Sequence, residues 1–141
     1  MGVYFKKDIG SQLTFAVGNV ALAVASATTA AGTGIDTQGY GSAVVHVNAG
    51  LTTGLPTTAS ITVRLQHSTN NSTWANITGA ALSAVTPTSA VTAAGKLDYT
   101  FNATNRYIRT AAVSALAGGT TPTIPYAVSV VLGGSDTLPA A

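Results

Sequence analysis

The 141-residue chain has no cysteine and no glutamate, a single tryptophan and two histidines, and only 7% of its residues are charged. Without cysteine, disulfides, thiolate nucleophiles and Cys-ligated zinc are excluded, and nothing reports the redox compartment. An average soluble protein is about 25% charged. The surface here must therefore be built mostly from Thr, Ser, Asn, Gly and Ala, a poor surface for a free monomer, so the composition implies that much of it is covered in an assembly. The six bases, Lys6, Lys7, Arg64, Lys96, Arg106 and Arg109, give a formal net charge of +2 but are scattered. A nucleic-acid binder gathers them on one face or stripe, so no nucleic-acid partner is expected.

Long apolar runs are also missing. No uninterrupted stretch reaches the roughly 18 to 20 residues of a spanning helix. Lys6 and Lys7 followed by LTFAVGNVALAVASA have the outline of a secretion signal. Asp8 sits in its basic part, however, and Gln12, Gly18 and Asn19 interrupt its apolar part, so the segment is expected to be structure. The start MGVYFK carries Lys6 where a myristoylation signal needs Ser or Thr. No membrane association is expected.

What is present is a set of runs with a period of two. Ile61, Val63 and Leu65 alternate with Thr62, Arg64 and Gln66 over Ser60 to Ser68, the mark of a half-buried strand. Ala43, Val45 and Val47 do the same, as do Leu97, Tyr99 and Phe101, and Tyr126, Val128, Val130 and Leu132. Arg106 to Val113 reads as a strand with Tyr107 and Arg109 on one side and Ile108 on the other. Leu13 to Ala27 is one or two strands, and Gly79 to Gly95 a long Ala/Thr/Ser connection that can hold a short strand or turn. Gly and Pro clusters separate the runs. Many short strands with turn signals at this spacing predict an all-β fold, a single antiparallel β-sandwich, jelly-roll-like, with extended terminal arms. The expected boundaries are an N-terminal arm at 1–11, the sandwich at 12–134 and a tail at 135–141.

Catalytic groupings are sparse. His46 and His67 have no paired spacing and no acidic neighbour, whereas a metal site needs three or four convergent donors. Asp8, Asp36, Asp98 and Asp136 are far apart; Asp36 sits in the turn signal GTGIDTQGYG and Asp98 on the solvent side of a strand. GYGSA places Ser42 one position late for a nucleophile elbow, and GTGIDT lacks the third glycine and the helix of a dinucleotide loop. No enzyme activity, metal or cofactor is expected.

Asn70, Asn71, Asn76 and Asn102 fall in N-x-[ST] patterns, which arise by chance in a chain this rich in Ser and Thr. Trp74 follows the polar cluster STNNST. It can serve as a glycan platform with Tyr40 or Tyr107, or close a corner by packing back on the sandwich, which is the commoner habit of an aromatic there. The arm concentrates Tyr4 and Phe5 beside Lys6 and Lys7, aromatic anchors next to positive charge, as a docking segment needs. The competing reading is that Val3 and Phe5 begin the first edge strand.

Four segments occur in a telling order: GIDTQGYGSAVVHVNAG, ITVRLQHSTNNSTWANI, NRYIRTAAVSA and YAVSVVLGG. From Gly34 onward the chain resembles the small all-β structural proteins of tailed bacteriophages. The resemblance implies a virion component, a head decoration or cement protein made in the host cytoplasm and bound to the capsid exterior. Its implied partners are the major capsid protein and its own copies in a homotrimer, with Tyr107 and Arg109 in oligomer or capsid contact. A carbohydrate-binding sandwich and a tail or neck protein are the alternatives.

Overall fold

A computed structural model describes residues 9–25, 29–101 and 105–136. After a 3-10 turn at Ile9–Ser11 come nine strands: β1 (Thr14–Val24), β2 (Thr29–Ala31), β3 (Ile35–Asp36), β4 (Ser42–Ala49), β5 (Thr58–Ser68), β6 (Ala75–Ala81), β7 (Ala93–Thr100), β8 (Tyr107–Ala117) and β9 (Ile124–Gly133). There is no α-helix among the described residues. One sheet has the order β1-β9-β4-β7, and the other β2-β8-β5-β6 with β3 also on β8. All pairings are antiparallel. Counting β2 and β3 as one interrupted strand gives the eight-stranded, doubly Greek-keyed arrangement of a jelly roll.

The period-two runs set the inside of this sandwich. Val45 and Val47 on β4, Ile61, Val63 and Leu65 on β5, and Val128, Val130 and Leu132 on β9 are buried, and their alternates face outward. Each such aliphatic side chain contributes roughly 1.5 to 3 kcal/mol by leaving water. The connection after β6 also feeds the core: Leu82 and Val85 are buried, and Val85 forms an isolated bridge with Ile61.

Two elements depart from the sequence reading, and one that it left open is resolved. Leu13 to Ala27 is one strand through Val24, with register shifts around Asn19 instead of a break. Within Gly79 to Gly95, β6 continues to Ala81 and β7 starts at Ala93, so the irregular part is shorter than expected. The strand expected from Arg106 runs on to Ala117, because Ser114 to Ala117 pair with Thr58 to Ile61 of β5, which overrides the weak strand preference of alanine.

Where β1 leaves the first sheet and β2 joins the second, the layers are held by polar bonds. Asn19, only 7% exposed, donates from Nδ2 to the Ala30 carbonyl at 3.1 Å and accepts from Thr110 Oγ1 at 2.8 Å. The hydroxyl of buried Ser114 donates to the Ala25 carbonyl at 2.6 Å. Glycine permits this approach: a Cβ on Gly32 would lie 1.8 Å from the Gly18 carbonyl oxygen. Asn19, which interrupts the apolar run in sequence, is thus an internal cross-link.

Candidate functional site

The candidate acids, histidines and serine lie apart from one another, and Asp36 and His67 bond to neighbouring side chains. Asp36 is held by a guanidinium fork, the single Arg106 Nε–H lying 2.9 and 3.0 Å from its two oxygens and Nη2 donating to Oδ2, and it accepts one bond from the Gln38 backbone at 3.0 Å. The bond from Arg106 is the main cause that holds its carboxyl below the usual range. Asp98 pairs with Lys96 at 2.8 Å on the exposed face of β7. The Asn105 amide bonds His67 Nδ1 at 2.7 Å, while His46 stands across β4 between Ser129 and Lys96. Ser42 lies opposite Gly133 and Thr100. Asp136 follows a backbone bond from its own N–H to the Gly39 carbonyl, 2.8 Å. Among the described residues no three His or Asp side chains converge. Asp8 and Asn102 lie outside the described residues, as do the arm positions Tyr4, Phe5, Lys6 and Lys7.

Three surfaces remain, each built by a different part of the fold. The first is the outer face of the second sheet. Ile108 and Thr110 point inward, so Arg109 stands outward beside Gln66 of β5. Its Nε donates to Gln66 Oε1 at 2.8 Å, and Gln66 Nε2 donates to Asn76 Oδ1 at 2.9 Å, a polar chain across β8, β5 and β6. The Arg109 guanidinium lies 4.5 Å from the centre of the Trp74 ring.

Trp74 arrives there because its loop is locally knotted. Asn70 Oδ1 accepts from the Ser72 and Thr73 backbones at 3.0 and 2.9 Å, and Asn71 takes a positive φ of 58°. The loop then reaches over to the β2–β3 edge: a Cβ on Gly34 would meet the Asn71 side chain and come within 3.0 Å of Trp74 Cζ2. The polar cluster is therefore a turn, and the half-buried indole packs on the outer face of the sheet, outside the core cluster.

The other proposed platform members separate. Tyr107 shares the Arg109 face, with the Arg106 guanidinium 5.3 Å from its ring centre. Tyr40 instead packs against the core, and its hydroxyl is 2.8 Å from Thr14 Oγ1 on β1. It is thus anchored to the first sheet, while Trp74 lies on the outside of the second.

The second surface is the outer face of the first sheet. Phe15 and Val17 on edge strand β1 are 72% and 63% exposed. They stand next to Val131 and Ser129 of β9, with Val44 and His46 one strand further. The far side of this face carries Lys96 and Asp98.

The third surface is the end of the sandwich where the loops 50–57, 82–92 and 118–123 meet. Thr53 and Thr123 exchange backbone bonds and their hydroxyls are 2.7 Å apart; the Thr120 N–H reaches the Gly54 carbonyl at 2.8 Å, and the Thr52 N–H reaches the Thr88 carbonyl at 3.1 Å. None of the three loops contains a charged residue. Leu55 is 76% exposed with a φ of 51°, and Leu51 and Val91 are also exposed. A left-handed leucine costs about 1 kcal/mol or more, and here it holds an apolar side chain in solvent. A pocket of about 280 Å³ opens between the first two loops, lined by Thr52, Pro56, Thr58, Ala59, Thr86 and Pro87 among others. Buried Thr52 Oγ1 has no partner among the described residues. Among the described residues, the exposed large hydrophobic side chains Phe15, Val17, Leu51, Leu55 and Val91 fall on the second and third surfaces.

No protein-family model matches the chain, and no curated protein is similar to it in sequence. Its fold is shared with solved structures at low identity. The SPBc2 prophage-derived protein YomS superposes with a TM-score of 0.51 at 11% identity, over 86% of this chain and 93% of that one. A chain of infectious bursal disease virus, Gx strain, gives 0.57 at 7% identity, covering 91% of this chain and 35% of its own. The CBM22-1–GH10 modules of Clostridium thermocellum xylanase 10B, complexed with xylohexaose, give 0.50 at 10% identity over 96% of this chain and 27% of that one. These likenesses establish the all-β sandwich, jelly-roll-like fold of the sequence reading.

Proposed function

We propose that the chain is a structural component of a tailed-phage particle, a decoration or cement protein that binds the exterior of the assembled head and stabilises it. The observation that carries the reading is the disposition of apolar surface. The loop end and the β1–β9 flank of the first sheet carry no charged residue, and the exposed large hydrophobic side chains among the described residues are gathered there instead of scattered. Contiguous exposed apolar patches mark interaction sites. The jelly-roll fold shared with a prophage-derived protein and a viral chain supports the same reading.

In this proposal the partners are the major capsid protein and further copies of the chain in a homotrimer. The arm residues Tyr4, Phe5, Lys6 and Lys7 dock on the head, continuing into the Phe15–Val17 flank of β1, with Tyr107 and Arg109 in the same assembly. Binding the lattice better than free subunits shifts the assembly equilibrium without catalysis. The test is cosedimentation of the purified protein with expanded, undecorated heads. Saturable binding supports the reading; binding to tails or necks alone moves the protein to that part of the particle.

The carbohydrate alternative draws support from Trp74 and from the fold shared with the xylanase chain. Against it, Arg109 already occupies one face of the indole and Tyr40 is elsewhere. A glycan array showing specific binding that Trp74→Ala abolishes would establish it.

A further inference from the structure

We infer that copies of this chain associate through the charge-free loop end, the Leu55 side chain of one copy seating in the pocket between the 50–57 and 82–92 loops of the next. The inference rests on the oligomer reading above and names the surface that makes it.

The knob and the hole lie on opposite flanks of one loop. On one flank the Leu55 backbone packs against the 118–123 loop: a Cβ on Gly119 would come within 2.7 Å of the Leu55 carbonyl oxygen. On the other flank Pro56, Thr58 and Ala59 face Thr86 and Pro87 across the pocket. At about 280 Å³ the pocket has room for a leucine side chain, and its lining is methyl groups, proline rings and hydroxyls.

Rigidity favours the contact. The backbone bonds joining the three loops hold the tip in place, so little conformational freedom is lost when it docks. Backbone strain at an exposed, bonded turn is a reason to look for function there, and Leu55 and Thr121 both take positive φ at this end. An intramolecular role does not account for a leucine at this tip, since its side chain is 76% exposed.

The occupant is a second copy because the chain presents both an exposed leucine knob and a hole of leucine size on the same uncharged end. A surface without charged groups buries most readily against another such surface, since every charge offered by a partner would be desolvated without an opposing group. The matching surface already present is the same end of another copy. Knob and hole are different patches, so the contact is heterologous, and a rotation that closes produces a ring.

Two substitutions separate the halves of the contact. Leu55→Gly removes the knob and suits the positive φ, so the fold is kept. Thr86→Trp fills the hole from an exposed position. Sedimentation equilibrium gives the masses, and circular dichroism with thermal melting verifies the fold of each variant.

The wild type should be a small multiple of the 14.0 kDa chain. Each variant should associate roughly 10- to 150-fold more weakly, the loss expected from one buried leucine. An equimolar mixture of the two variants should form pairs of twice the chain mass, because one intact knob meets one intact hole.

A wild type that is monomeric at micromolar concentration defeats the oligomer reading itself. An oligomer that Leu55→Gly leaves unchanged defeats only the surface named here. Unchanged oligomer mass together with lost head binding in Leu55→Gly assigns the loop end to the head and overturns the self-contact.

Discussion

Replacing Arg109 with alanine should destabilise the protein and release its only tryptophan. Arg109 lies 4.5 Å from the Trp74 ring centre and donates to Gln66 Oε1 at 2.8 Å. A cation–π contact at a half-buried site is worth about 1 kcal/mol, and one side-chain hydrogen bond contributes about another 0.5 to 1. The loss should be about 1.5 to 2 kcal/mol. For 141 residues, with an unfolding entropy of about 2.1 cal/mol/K per residue, that lowers Tm by about 5 to 7 °C. Arg109→Lys keeps the charge but not the planar group or its Nε donor, and should lose roughly half as much. Because Trp74 is unique, its emission reads the same event: the maximum should move to longer wavelength in Arg109→Ala and little in Arg109→Lys. The assay is thermal melting at fixed protein concentration with fluorescence on the same samples. A Tm within 1 °C of wild type, or an unshifted maximum, would refute the stacking argument. Increased glycan binding on Arg109→Ala would mean that the guanidinium had been masking a platform.

Asn19→Ala removes the side-chain bond to the Ala30 carbonyl, which keeps its place in the β2–β8 ladder, and leaves the Thr110 hydroxyl without its described partner, and should cost about 1 to 3 kcal/mol; adding Thr110→Val should recover part of that, and strictly additive losses in denaturant titrations would contradict the coupling. Thr52→Val removes a buried hydroxyl without a described partner while keeping shape, so Tm should rise by about 2 to 4 °C, and a fall would show that the hydroxyl is satisfied. Asp36 has its folded pKa lowered, chiefly by Arg106, so its contribution is present above the unfolded pKa near 3.9 and fades as pH falls through the lower folded value. The pair is about half exposed, which keeps the effect small. Asp36→Asn should flatten the acid side of the stability curve slightly, with no change near pH 7 beyond the pair itself.

Legibility in the sequence followed locality. Ile61, Val63 and Leu65, or Val128, Val130 and Leu132, declare their sheet face because burial repeats every second residue. Strand β6 did not, since ANITGAA lacks that alternation and carries Gly79 at a φ of 78°. Strands β2 and β3 are too short to show a period, and they exist through pairing with β8.

The site residues were readable one by one but not as neighbours. Tyr107 and Arg109 share a face, as the alternation indicates, yet the stack of Arg109 on Trp74 depends on a loop crossing the sheet to Gly34. Tyr40 and Trp74 look equivalent in sequence and are attached to different sheets. Leu55 and Val91 fall in connections without a period, so nothing in the sequence shows that the structure leaves both in solvent.

The central claim is that this protein binds an assembled head from outside and stabilises it. The direct measurement is the temperature at which undecorated, DNA-filled heads release their genome, followed by dye fluorescence while the protein is titrated. The account predicts a rise that saturates at a fixed ratio of protein to capsid subunit and is diminished when Met1 to Lys7 is deleted or Phe15 and Val17 are replaced by serine. A release temperature that stays constant while the protein cosediments in saturating amount would contradict stabilisation. No cosedimentation at all would contradict the head as partner.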